Sequence, residues 1–197
     1  MPTCISDKFS ICNPEVDKQE VLSHVLKLEE TLAASPYDLI GVAVAFGADP
    51  AEAKKKLGIE ISGYVRRPVG TFLAKYGKIH GYEKVERELL KLYQALRGSC
   101  ICPAGPIAPL EDGRYVVQRP AGIYICGGDG CKEAAPEPIT LYEHPSGCML
   151  YNPSFVLADQ PIQAVVNALK QLKVAEPELV ARYLLPGLCR DLWGVLI

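Results

Sequence analysis

The chain is poor in the residues and motifs from which catalysis is usually read. Its 197 residues include only three histidines, His24, His80 and His144, so few imidazoles exist to act as a base or a metal ligand. No two cysteines are separated by two residues, which removes the thioredoxin-type redox motif. Gly127-Gly128-Asp129-Gly130 is followed by no lysine-serine pair and no helical pattern, so it is not a phosphate loop. The longest apolar runs, such as 39–46, fall far short of the roughly 20 residues needed to cross a bilayer. The first twelve residues mix Asp7, Lys8 and cysteines and lack the basic-then-apolar order of a signal peptide, so the expected location is the cytoplasm, where thiols stay reduced. Asparagine and methionine are also scarce, at three and two, beside 16 prolines. Few thermolabile residues and many prolines form a thermophile signature, and hyperthermophiles are the cells in which internal disulfides persist.

What is present is enough for one ordinary domain: 49% of the residues are hydrophobic, so a sizeable core can form without disulfides or metal. Net charge is −2, but it is unevenly spread. Residues 1–50 hold three Lys/Arg against eight Asp/Glu, residues 51–97 hold eleven against five, and residues 98–197 hold seven against ten. A basic block thus lies between two acidic segments.

Cap-and-proline signals mark successive helix starts at Asn13-Pro14-Glu15, Ser35-Pro36-Tyr37-Asp38 and Asp49-Pro50-Ala51-Glu52. The first helix carries Val21, Leu22, Val25, Leu26, Leu28 and Leu32 and runs to Ser35. Residues 39–46 suit either a buried helix or a buried strand, and the cap favours the helix. Gly58 supplies the left-handed residue that ends the third helix. Pro68 interrupts what would otherwise be a helix across 66–76. From Tyr82, the set Val85, Leu89, Leu92, Tyr93 and Leu96 forms one apolar face with charges on the other, until Gly98. Residues 114–118 and 122–125 read as a hairpin through Arg119-Pro120-Ala121, 133–138 as a proline-bearing loop, and 140–143 with 148–151 as a second strand pair. Helices resume after Pro153, from Asp159 and from Glu176-Pro177-Glu178, and the apolar tail docks through Trp193 and Leu196. The expected fold is α+β: a mainly helical protein with a small cysteine-rich antiparallel β insert at 98–153, between a helical region at 1–97 and C-terminal helices at 154–197 that pack back on it.

Five of the eight cysteines fall in that insert. Cys100 with Cys102 and Cys126 with Cys131 make two close pairs separated by a hairpin, as a structural zinc site requires, although neither pair has the usual two-residue gap. An iron–sulfur cluster would use the same ligands, with His144 and Cys148 in reserve. Alternatively, Cys126 bridges Cys131 or Cys148 and Cys4 bridges Cys12, or the cysteines are unlinked buried hydrophobes. A cysteine nucleophile at Cys131 or Cys148 is poorly served. Papain-like enzymes place their histidine downstream, where none follows His144, and the His80 and Asp112 needed to complete a triad with Cys131 are awkwardly placed, His80 standing at the entry to a helix. In the basic block, Lys54, Lys55, Lys56, Arg66, Arg67, Lys75 and Lys78 interleave with Tyr64, Tyr76 and Tyr82, which fits phosphate neutralisation with base stacking. The block also loosely fits a helix-turn-helix, against which Pro68 argues; the plainer alternative is a solvated face. The composite expectation is a non-enzymatic binding or regulatory protein with a zinc-type site and a basic surface for nucleic acid. Its rivals are a cysteine-dependent enzyme and a disulfide-stabilised assembly protein of a thermophile or its virus.

Overall fold

From Leu39 onward, helix α2 (Pro36–Ala45) is apolar on every side, and a helix of that kind is stable only when surrounded. The remaining N-terminal helices enclose it: α1 (Lys18–Leu32), α3 (Pro50–Leu57) and α4 (Pro68–His80) each pack on α2, and α5 (Tyr82–Ala95) packs on α1 and α4. The computed structural model describes residues 17–95, 107–110, 112–137, 140–144, 147–151, 155–157, 162–181 and 195–197. Within them the fold mixes helix with antiparallel sheet, as an α+β reading requires.

The caps act largely as the sequence indicates. Ser35 caps α2, Asp49 caps α3, and Gly58 takes the left-handed conformation that ends α3. The first helix begins later and ends earlier than expected: Asp17 is its cap, accepting from the Gln19 and Glu20 amides, and Ala33 terminates it. Asn13-Pro14-Glu15 lies outside the described residues. Asp38 does not close a capping box on Ser35. It accepts instead from Tyr76 Oη and Lys75 Nζ, both at 2.7 Å, while Tyr76 Oη accepts the Ser35 amide at 2.9 Å. This three-way node ties the start of α2 to α4.

Pro68 does not interrupt a helix; it starts one. Placed in the first turn of α4, it has no amide to leave unpaired there. Ten residues therefore separate α3 from α4, including strand β1 (Tyr64–Val65), whereas a helix-turn-helix needs a turn of about three or four residues. Helices α3 and α4 therefore do not form a helix-turn-helix. His80 likewise closes α4 rather than opening the next helix, and its Nε2 lies 2.7 Å from the Leu32 carbonyl oxygen.

A four-stranded antiparallel sheet follows, in the order β2 (Ile107–Pro109), β3 (Tyr115–Arg119), β4 (Gly122–Gly127) and β5 (Gly130–Ala135). The hairpin at Pro120-Ala121 is as expected. The segment read as a loop from Glu133 is the end of β5, because two alanines and a β-bulge continue the ladder up to Pro136. Side chains alternate across the sheet. Ile107, Tyr115, Val117 and Cys126 join the helical core, whereas Val116, Ile123 and Ile125 are buried outside it. On the far side, the Ala175 amide bonds to the Ala134 carbonyl at 2.8 Å.

A separate three-stranded sheet comprises β6 (Thr140–His144), β7 (Gly147–Tyr151) and β8 (Phe155–Leu157), the last of which the sequence reading missed. Helix α6 (Ile162–Gln171) and a helical turn at 177–181 follow. The tail docks as a strand: β9 (Val195–Leu196) pairs antiparallel with β1. Trp193 lies outside the described residues.

Candidate functional site: a buried cluster at the helix–sheet contact

The period of two along a strand places a row of chemistry-bearing residues on the sheet face that meets the helices. Tyr115, Cys126 and Cys131 are directly opposite one another across β3, β4 and β5, and Arg119 stands two pleats along β3 from Val117 on the same face. Over this row runs the start of α5, carrying Tyr82, Glu83 and Glu86.

Glu86 is the centre of the group and is fully buried. Its Oε1 accepts from Tyr115 Oη at 2.9 Å and from Arg119 Nη2 at 2.7 Å, and its Oε2 accepts from Arg119 Nε at 2.8 Å. The two-pronged guanidinium contact gives the buried carboxylate a counter-charge in fixed geometry, the arrangement in which a buried ion pair is tolerated. Arg119 is in turn held between rings, its guanidinium carbon 5.5 Å from the centroid of Tyr82 and 4.7 Å from that of Tyr124. Gly77 on α4 makes room for this: a β-carbon there would collide with the Tyr82 ring.

The sulfurs complete the cluster. Cys126 and Cys131 form a disulfide across the β4–β5 hairpin, with their Cα atoms 4.0 Å apart. This is one of the bridges that the sequence left open. Arg119 Nη2 lies 3.6 Å from Cys126 Sγ and 3.3 Å from Cys131 Sγ, and Glu83 Oε1 lies 3.6 Å from Cys131 Sγ. Hydrogen bonding to Glu86 holds Arg119 firmly protonated, and burial, reinforced by the Glu86 charge, pushes the Tyr115 phenol well above its usual 10.0.

Of the four cysteines expected to converge on a metal, the structure brings Cys126 and Cys131 together; Cys100 and Cys102 lie outside the described residues. Glu86, Cys126 and Cys131 do present ligand atoms within 4.8 Å of one another. Arg119 Nη2 lies within 3.6 Å of both sulfurs and of Glu86 Oε1, and a bridged sulfur lacks the thiolate charge that zinc ligation uses. Cys148 pairs with Glu143 across β6 and β7, in a sheet separate from this cluster.

The basic block divides among element ends. Lys54, Lys55 and Lys56 form the last turn of α3, where they complement the helix dipole. Arg66 and Arg67 precede α4, Lys75 pairs with Asp38 at 2.7 Å, and Lys78 is exposed near the end of α4. Of the interleaved rings, Tyr76 is buried and bonded to Asp38, and Tyr82 packs against Arg119; Tyr64 is about half exposed.

The sequence reading missed Glu86, Arg119 and Tyr115. A signal for Glu86 was available, since position 86 lies four residues after Tyr82 and three before Leu89, inside the apolar stripe of α5 rather than on its charged face. Comparison with protein-family models, curated proteins and solved structures finds no match to this chain.

Glu86→Ala strands the Arg119 charge at a buried contact. Denaturant unfolding should show a loss of about 3–5 kcal/mol, whereas the apolar double replacement Glu86→Leu/Arg119→Met should be nearly neutral. Because the Tyr115 proton is held more tightly in the folded chain, its contribution is intact below pH 10 and is lost as the pH rises beyond it. Thermal unfolding of the native chain should therefore fall more steeply above pH 10 than that of Tyr115→Phe.

Proposed function

We propose that this chain is a non-enzymatic binding or assembly protein whose β4–β5 hairpin is closed by the Cys126–Cys131 bridge and whose helical and sheet layers are joined by the adjoining Glu86–Arg119 ion pair. The observation that carries this reading is the bridge itself. The one pair of cysteine side chains described is joined to itself and faces a histidine-free set of partners, Glu83, Glu86 and Arg119. A cysteine hydrolase pairs a free thiol with a histidine base, and this cluster offers neither. The scarcity of asparagine and methionine supports a cytoplasm of a thermophile, or a virus of one, as the setting in which such a bridge survives. A zinc-type site is the second reading, favoured by the proximity of Glu86, Cys126 and Cys131; it requires the reduced pair and displacement of the Arg119 guanidinium.

The partner in this reading is a polyanion such as nucleic acid, met by the exposed Lys55, Lys56, Arg66, Arg67 and Lys78. The acidic balance of the rest of the chain makes attraction local to that block.

Three measurements test the proposal. Trypsin leaves residues 115–132 as one peptide, since Pro120 protects Arg119, so unreduced digests should contain that peptide two hydrogens lighter and inert to alkylation. Cys131→Ser should lower stability by about 2 kcal/mol, the loop-closure contribution of so short a ring. Binding to a generic oligonucleotide should weaken steeply with added salt; a salt-independent signal, or no binding at low salt, removes the polyanion partner.

A further inference from the structure

We infer that the Cys126–Cys131 bridge is a site of thiol–disulfide exchange with small thiols, attacked at Cys131 and releasing Cys126 beside Arg119. The inference rests on the bridge described above and adds reactivity to it.

Four observations point the same way. The two sulfurs differ in access: Cys126 is 1% exposed and sits in the core, while Cys131 is half-buried on β5, the outer strand of its sheet. An incoming thiolate therefore meets Cys131 first. The Arg119 guanidinium lies against both sulfurs, and a fixed cation stabilises whichever thiolate departs. That cation cannot drift away when the bridge opens, because Glu86 grips it through both Nε and Nη2 and two tyrosine rings flank it. The ladder of β4 and β5 keeps the two cysteines opposite each other without the sulfur bond, so the dithiol is poised to close again.

The exchange balances as follows. A thiolate RS⁻ attacks Cys131 Sγ, forming an R–S–S–Cys131 mixed disulfide; the Cys126–Cys131 bond breaks, and its electron pair leaves on Cys126 as a thiolate facing Arg119. A second RS⁻ attacks the R sulfur of the mixed disulfide, forming RSSR and releasing Cys131 as a thiolate. Two electrons have passed from two RSH to the protein, and the protons shed by the two RSH are available to Cys126 and Cys131. Glu83 Oε1, 3.6 Å from Cys131 Sγ, is placed to accept a hydrogen bond from the Cys131 thiol. It also sets a negative charge at the entrance, which opposes an anionic attacker.

The test uses the full chain, oxidised, with free thiols first blocked by N-ethylmaleimide. Glutathione is added without denaturant, iodoacetamide quenches the reaction, and peptide 115–132 is sequenced by mass spectrometry. The expected product carries glutathione on Cys131 and the iodoacetamide label on Cys126. A bridge that stays intact until the protein is denatured, or an adduct found on Cys126 instead, overturns the inference. A peptide with no bridge before glutathione is added overturns the earlier reading itself, so the two failures are distinct. Arg119→Met should slow the exchange about tenfold. Should that variant not fold, Glu83→Gln on the exposed face of α5 serves in its place: reaction with anionic glutathione should speed up about threefold, and an unchanged rate counts against the assigned geometry.

Discussion

Glu86 places a carboxylate where water cannot serve it. An isolated carboxylate at full burial is prohibitively costly, so the surrounding structure must supply donors in its place. It does so from the sheet, with Arg119 and Tyr115 reaching up from β3 to a residue on α5. Helical layer and sheet are thereby registered against each other by directed bonds as well as by apolar contact. The same guanidinium is shared among the carboxylate, two rings and two sulfurs, so each member constrains the others.

That arrangement accounts for details that look unrelated along the chain. Gly77 is on α4, yet its missing side chain gives Tyr82 the space from which it covers Arg119. Tyr115 owes its reluctance to ionise to burial and to the charge of Glu86, and the cross-strand row from Tyr115 to Cys131 puts the bridge under the same helix. A second node, of Ser35, Asp38, Lys75 and Tyr76, fixes α2 to α4 by similar means, on a more exposed ion pair worth correspondingly less. Between them the two nodes tie α2 to α4 and α5 to the sheet.

The position of the bridge also bears on how the cysteines are to be understood. In sequence, pairs of cysteines beside glycines invite a metal; in space, one pair is joined and a guanidinium nitrogen lies within 3.6 Å of both sulfurs and of Glu86 Oε1. A guanidinium and a metal ion answer the same electrostatic need, and only side-chain packing distinguishes which one is used.

Much of the fold was legible from residues close in the chain. Cap and proline signals at Ser35-Pro36 and Asp49-Pro50, the glycine stop at Gly58, and the turn at Pro120-Ala121 all act through bonds between near neighbours, which the sequence displays directly. Pro68 was misread because one residue type both breaks helix interiors and favours helix starts, and the choice depends on where the preceding chain is going. The site was illegible for a different reason. Glu86 meets Arg119 across 33 positions and Tyr115 across 29, and Glu83 meets Cys131 across 48. No local pattern encodes such a meeting, since it depends on which helix face the sheet covers. The sequence by itself determined the helix starts at Ser35-Pro36 and Asp49-Pro50, the hairpin at Pro120-Ala121 and a pair of cysteines that could join. Only the tertiary structure decided that a charged residue within an apolar stripe would be buried, and which cation would neutralise it.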